Sequence, residues 1–307
     1  MSDHDIISYL KNIIPLVSAT FHEDHCISLK LTSPECVLGG IVRLRSDKHS
    51  ILGLISQLHH LRELDLRRNR FGLIPNLGLV NLESLDLGSN YMGSVPEWIR
   101  GLNLKYLNLG VNELKFIPDW IGELPLENLK LHKNQLSNVD AIAPLRLTSL
   151  NLYLNRLKWP KFLWDFDLKV FSWGVSGIKE IDGIGNWKNL EWLTCVANKI
   201  ECLPDSICGL TKLKGLVLNK NRLTCLPERI GELVNLRHLF LYKNQISVLP
   251  KSFGSLKLER YINGMIHCSN TYNDTLEDRL ITNGIPCITV ELPNKSEIKD
   301  RKDCNCS

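Results

Sequence analysis

The sequence predicts an α/β solenoid whose coils share one continuous parallel β-sheet. Three observations carry that expectation. The stretch LRELDLRRNRF at residues 61–71 has the pattern L-x-x-L-x-L-x-x-N-x-L, and it returns at Leu82, Leu104, Leu126, Leu147, Leu168, Leu190, Leu213 and Leu236. Successive starts lie 21, 22, 22, 21, 21, 22, 23 and 23 residues apart, a near-constant period that marks a repeat architecture. A single coil of this length buries too little apolar surface to offset the cost of ordering its backbone. Each coil must therefore stack on its neighbours, and identical coils stacked in one direction give parallel strands.

The motif explains its own spacing. Leu64 and Leu66 sit two apart, so in a strand both point to one face while Asp65 points to the other. Leu61 and Phe71 add apolar groups to the same interior as the chain turns away. The Asn at the ninth position leaves the strand with an amide that donates and accepts, able to pair buried backbone groups of neighbouring coils. The sequence supplies Asn69, Asn90, Asn112, Asn134, Asn155, Asn198, Asn221 and Asn244; Ser176 breaks the series.

These residues resemble the leucine-rich repeat family over roughly residues 61–250. The resemblance implies a right-handed horseshoe with the sheet on its concave face and short helices or turns on the convex face. The segments between strands show two forms. Pro96-Glu97-Trp98-Ile99, Pro118-Asp119-Trp120-Ile121, Pro204-Asp205-Ser206-Ile207 and Pro227-Glu228-Arg229-Ile230 read as short helical turns, closed by Gly101, Gly122, Gly209 and Gly231. They resemble the intracellular L-P-x-x-I-G-x-L type of Ras-pathway scaffolds and of many bacterial and protist proteins. The stretches around residues 139–145 and 181–187 lack the proline and resemble the 21–22-residue subclass of a phosphatase regulator. Trp98, Trp120 and Trp187 are expected to pack inside these segments.

Three regions follow in order. Residues 1–60 form an N-terminal cap with a degenerate first coil. Its first 22 residues read as a sealing helix, because Ile6, Ile7, Leu10, Ile13 and Ile14 make a stripe at helical spacing before Pro15. In residues 23–60, Ile27, Leu29 and Leu31 alternate like a strand and Pro34 takes the Asn place. A second register at Gly39, Val42, Leu44 and Asp47 is too close to be a full repeat, so an insertion is expected. Residues 61–257 hold nine regular repeats. Residues 258–307 form a C-terminal cap and a polar tail, because the tenth motif has Asn263 where an apolar residue is required.

Composition narrows the class. Apolar residues at 44% and charged residues at 23% are ordinary for a soluble protein, and a net charge of +4 is too small to argue for nucleic acid. No run of 18 apolar residues occurs, and the acids of MSDHDIISYLKNIIPL do not read as a signal peptide. Cys195 stands where other repeats have Leu, and Cys202, Cys208 and Cys225 fall on repeat-facing or adjacent positions; buried free thiols are expected there. Cys26 and Cys36 do not resemble the clustered cysteines of extracellular caps. These features together point to the cytoplasm.

No phosphate-cradling loop, H-E-x-x-H helix, G-x-S-x-G elbow or kinase signature occurs, so neither an enzyme nor a cofactor is expected. His59 and His60 read as a solvated turn. His267, Cys268, Cys287, Cys304 and Cys306 do not form a compact metal-binding pair, so no metal site is expected. The terminal Cys304-Asn305-Cys306-Ser307 matches C-a-a-X in form only, and a membrane enters solely if Cys304 is lipidated.

Surface chemistry gathers where the motif leaves outward positions free. On the later repeats these hold Tyr153, Val175, Trp192, Val196, Lys220, Phe240, Tyr242 and Lys243. Aromatic and aliphatic groups rimmed by cations are the material of protein-binding hot spots. The expected function is a non-enzymatic scaffold whose concave sheet docks another protein through these eight residues, without nucleic acid or a small-molecule substrate. The alternatives are a prenylated, membrane-tethered signalling scaffold and the regulatory subunit of a separate enzyme.

Overall fold

The computed structural model describes residues 1–14, 16–31 and 48–262. The expectations placed on Pro15, Pro34, Cys36, the register at residues 39–47, Asn263 and the terminal cysteines lie outside these residues. The chain divides into two compact units, Met1–Ser176 and Gly177–Ser307.

The first unit opens with helix α1 (Asp3–Ile13). Ser2 and Asp5 start it reciprocally: the Asp5 N–H donates to Ser2 Oγ at 3.2 Å, and the Ser2 N–H donates to the Asp5 carboxylate at 3.0 Å. Ile6, Ile7, Leu10 and Ile14 are buried, as the helical stripe requires. The sealing helix is shorter than the 22 residues expected. Strand β1 (Val17–His22) follows it and pairs antiparallel with β2 (His25–Leu31). Glu23 and Asp24 join them with φ of 48° and 63°, the left-handed pair that a tight hairpin needs. Alternating burial along β1 shows why helical spacing ends at Ile14. Helix α2 (Lys48–Ile55) then buries Ile51, Leu52 and Ile55.

From β2 onward the ladder is parallel. It runs through β3 (Glu63–Asp65), β4 (Ser84–Asp86), β5 (Tyr106–Asn108), β6 (Asn128–Lys130), β7 (Ser149–Asn151) and β8 (Val170–Gly174) in sequence order. The register places Leu64, Leu85, Leu107, Leu129, Leu150 and Phe171 side by side, each 1% exposed or less. This column is the spine of the unit's core. In the second unit β9 (Trp192–Val196), β10 (Gly215–Val217), β11 (His238–Phe240) and β12 (Arg260–Ile262) continue the same scheme, with Leu193, Leu216 and Leu239 in register and fully buried.

The opposite side of each coil carries short 3₁₀ helices. Those at Glu97–Ile99, Asp119–Glu123 and Asp205–Gly209 each start directly after a proline in extended conformation. Proline supplies the extended residue and loses no helical hydrogen bond there. The segments without proline, Asp140–Ile142 and Asp182–Asn186, form the same turn. Trp120 and Trp187 are buried. Trp98 is half-buried, and its indole N–H donates to the Ile74 carbonyl at 3.0 Å.

The Asn ladder is the second holding element. The Asn90 side-chain N–H groups donate to the carbonyls of Leu66 (2.9 Å) and Leu87 (3.0 Å), while its oxygen accepts from the Asn69 N–H at 3.1 Å. Asn112, Asn134, Asn155 and Asn221 repeat this bridge between a coil and the one before it. The residue just before each ladder position has φ between 53° and 62°, from Arg68 to Lys243. That left-handed kink turns the chain out of the strand and aims the amide inward. At the break in the series, Trp173 fills a Leu place and its indole N–H donates to Ser176 Oγ. An Asn side chain there would have to share the space that the larger ring occupies.

Candidate partner-binding face

Side chains that alternate with the buried leucines form the outward face of each sheet, and the two units dress it differently. On the first unit the face is polar. Asp65, Asp86, Asn108 and Asn151 occupy one column, and each accepts the N–H two residues on, at 2.9–3.1 Å. Such short-range bonds end the strand cleanly and explain why Asp and Asn recur there.

Around Asp86 these groups form a network. The Arg67 guanidinium lies 2.8 Å from Asp65 and 3.2 Å from Asp86. Asn108 donates to Asp86 at 3.0 Å, and the Tyr106 hydroxyl lies at 3.4 Å. Burial lifts the Asp86 carboxyl to about 6; the Asp65 charge adds to the rise, and Arg67 and the Asn108 amide oppose it. The Asp65 carboxylate, bonded to Arg67, holds that guanidinium protonated. Further along, the His132 ring lies over Gly110, so close that a Cβ there would come within 2.1 Å of it.

On the second unit the face is apolar and aromatic. Trp192, Gly215 and His238 stand in register across β9, β10 and β11. The Trp192 indole lies flat on Gly215, where a Cβ would meet ring atoms at 2.4 Å. It reaches toward the His238 ring, with centroids 5.5 Å apart. The indole N–H is shielded from water and has no acceptor among the described residues. The next row is Thr194, Val217 and Phe240, at 6%, 3% and 7% exposure. These side chains cover one another, which is why outward residues are nearly closed to solvent.

The eight expected site residues are therefore presented unevenly. Tyr153 and Val175 belong to the first unit: Tyr153 is buried, and Val175 is 46% exposed with a left-handed φ of 59°. The other six share the face of the second unit. Val196 and Phe240 are buried within it, Trp192, Lys220 and Tyr242 are half-buried, and Lys243 is exposed with its ammonium 5.3 Å from the Tyr242 ring centroid. Gly215 escaped the sequence reading, although a glycine inside a strand signals close approach of another group.

One edge of this face is electrically closed. Lys214 pairs with Glu191 at 2.6 Å, and Arg237 approaches Glu259 at 4.0 Å. The other edge carries Lys199, Lys220, Arg222 and Lys243. The backbone bond from Arg222 N–H to the Ile200 carbonyl, and that from Lys220 N–H to the Tyr242 carbonyl, set these cations one coil apart. Among the described residues, no His, Cys, Asp and Glu cluster could hold a metal ion, and no helix is long and apolar enough to cross a membrane.

The profile of the family described as Leucine Rich Repeat matches residues 60–78, 81–102 and 235–256. No curated protein sequence matches the chain. Among solved structures, an internalin of Listeria monocytogenes is 24% identical and aligns over 71% of each chain with a TM-score of 0.55. A plant peptide hormone receptor, RGFR1, solved in complex with RGF2, is 26% identical over 68% of this chain and 42% of the receptor, with a TM-score of 0.51. The nine-fold motif, the parallel ladder with its bridging asparagines, the family match and the shared fold agree: the chain is built from leucine-rich repeats.

Proposed function

We propose that the chain is a non-enzymatic scaffold that docks a partner protein on the outward face of the sheet in its second unit. The seat of Trp192 on Gly215 carries this reading. It holds a large aromatic side chain half-buried beside His238, with an indole N–H that has no acceptor among the described residues. An unpaired buried donor costs about 1–3 kcal/mol, so a partner carbonyl reached by a small ring movement would recover that energy. Tyr242 and Lys243 supply a second aromatic and a cation elsewhere on the same face. Leucine-rich repeats typically serve as interaction modules, and the plant receptor of the same fold is solved with RGF2 bound. Free thiols at Cys26, Cys195, Cys202 and Cys208 suit the cytoplasm as the working compartment.

The test is retention of partners by immobilised variants. Proteins held by the wild type and by Glu228→Lys, exposed in the loop between β10 and β11, should be lost from Trp192→Ala and Lys243→Glu. Removing a buried aromatic anchor should weaken binding by about 2 kcal/mol, near thirtyfold. A circular dichroism spectrum identical to that of the wild type qualifies each variant. Equal retention by all four proteins would overturn the reading.

A further inference from the structure

The second unit concentrates its charge at one end of its strands. Residues 192–199, 215–222 and 238–245 span β9, β10 and β11 and the turn after each; they hold Lys199, Lys220, Arg222 and Lys243 and no Asp or Glu. The matching segments of the first unit hold Glu63, Asp65, Asp86 and Glu113. Ala197, Lys220 and Lys243 have φ of 55°, 57° and 56°, so the two lysines leave the sheet in one direction from neighbouring coils. The Lys199 N–H donates to the Ile178 carbonyl at 2.8 Å and the Arg222 N–H to the Ile200 carbonyl at 2.9 Å, which stacks the second pair of cations in the same way. Lys199, Arg222 and Lys243 are exposed, and Lys220 is half-buried. Cations on adjacent coils, about 4.8 Å apart at the backbone, repel one another, and a carboxylate laid between them removes that cost. At the other end of the strands, Lys214 and Arg237 already face Glu191 and Glu259.

We infer that the partner lays an extended, acidic segment of protein across this face, with its carboxylates on the basic edge. The inference rests on the docking face proposed above and names the chemistry that fits it. From the position of Trp192 to that of Ala197, where the basic edge begins, an extended chain covers about 16 Å in five steps. A peptide of about six residues therefore reaches from a carbonyl at the Trp192 indole N–H to Asp or Glu side chains among the cations. Between the two ends Val196, Val217 and Phe240, at 2%, 3% and 7% exposure, make an apolar floor for its alternate side chains. A nucleic acid fits this layout less well. Its backbone is charged at every nucleotide and calls for cations along its whole path, whereas these stand at one edge. Glu201, exposed two residues beyond Lys199, is the acid nearest to that lysine along the chain, and four cations outweigh it.

The experiment selects binders from a phage-displayed library of random peptides on the immobilised full-length chain, then measures the most enriched peptide, synthesised with a fluorophore, by anisotropy. The selected sequences should be rich in Asp and Glu, and their binding should weaken as salt is raised. Reversing Lys199 and Arg222 together to Glu should weaken binding about tenfold. The same charge change at Lys188 and Lys257, exposed after the 3₁₀ helices Asp182–Asn186 and Lys251–Ser255, should leave it unaltered. No enrichment, enrichment without acids, or equal loss from both charge-reversed variants would overturn the inference. So would a mixed-sequence RNA or DNA oligonucleotide that binds more tightly than the peptide and is lost on reversing Lys199 and Arg222. Peptides lost from Trp192→Ala but kept by the Lys199 and Arg222 reversal would overturn the acidic partner and leave the docking face standing. Acidic peptides lost from that reversal but kept by Trp192→Ala would uphold the basic edge and overturn Trp192 as the anchor.

Discussion

Asn155 shows how one side chain can hold two coils. Its N–H groups donate to the Leu131 carbonyl at 2.9 Å and the Leu152 carbonyl at 3.1 Å, and its oxygen accepts from the Leu136 N–H at 3.2 Å. Leucine in its place would fill the volume and leave all three groups buried without partners. Urea unfolding of Asn155→Leu should show a loss of about 2–4 kcal/mol. An unchanged midpoint would mean that water satisfies these groups instead. The residue before each ladder position pays the opposite way: Val111 sits at φ 56° and is 38% exposed. A left-handed backbone costs an L residue roughly 1–2 kcal/mol, and Asn tolerates it far better. Val111→Asn should therefore raise stability by about 1 kcal/mol, measured by the same unfolding curve.

At the scale of a strand, Gly215 decides what β9 and β11 can present. Its missing Cβ lets the Trp192 indole lie across β10 toward His238. Gly215→Ala places a carbon 2.4 Å from the ring, so the indole must lift toward solvent. Overpacking of this kind costs about 1–3 kcal/mol. The expected readout is a red shift of tryptophan emission and loss of the partners defined by Trp192→Ala. Retention of both the emission maximum and the partners would show that the indole's seat does not matter to binding.

At the scale of the whole molecule, the polar face of the first unit makes stability depend on pH. Asp86 has its carboxyl raised to about 6 from an ordinary 3.8, with Asp65, Arg67, Tyr106 and Asn108 around it. A raised folded value means the native state binds the proton more tightly than the unfolded chain does. The stabilisation is complete below pH 4 and is lost as pH climbs through 6, up to about 3 kcal/mol. Comparing Asp86→Asn with the wild type isolates this contribution: the variant should gain relative stability between pH 4 and 6, then hold it. A pH-independent difference would locate the titration elsewhere.

The fold was legible because the repeat writes it nine times over. The leucine spacing dictates which side chains enter the core, and the recurring Asn dictates how neighbouring coils close, so period alone determines a parallel ladder. The helical stripe of Ile6, Ile7 and Leu10 was equally plain, whereas β1 was not, because its partner β2 lies across a turn and alternation over six residues is a weak signal beside a helix. What only the tertiary structure decided is the chemistry of the outward face. Alternation in a strand tells which residues leave the core but not how they lean on the next strand. Val196, Val217 and Phe240 are outward by pattern and shut by packing, while Trp192 keeps its place through the absence of a side chain 23 residues later. That relation is set by contacts between strands, which only stacking brings together.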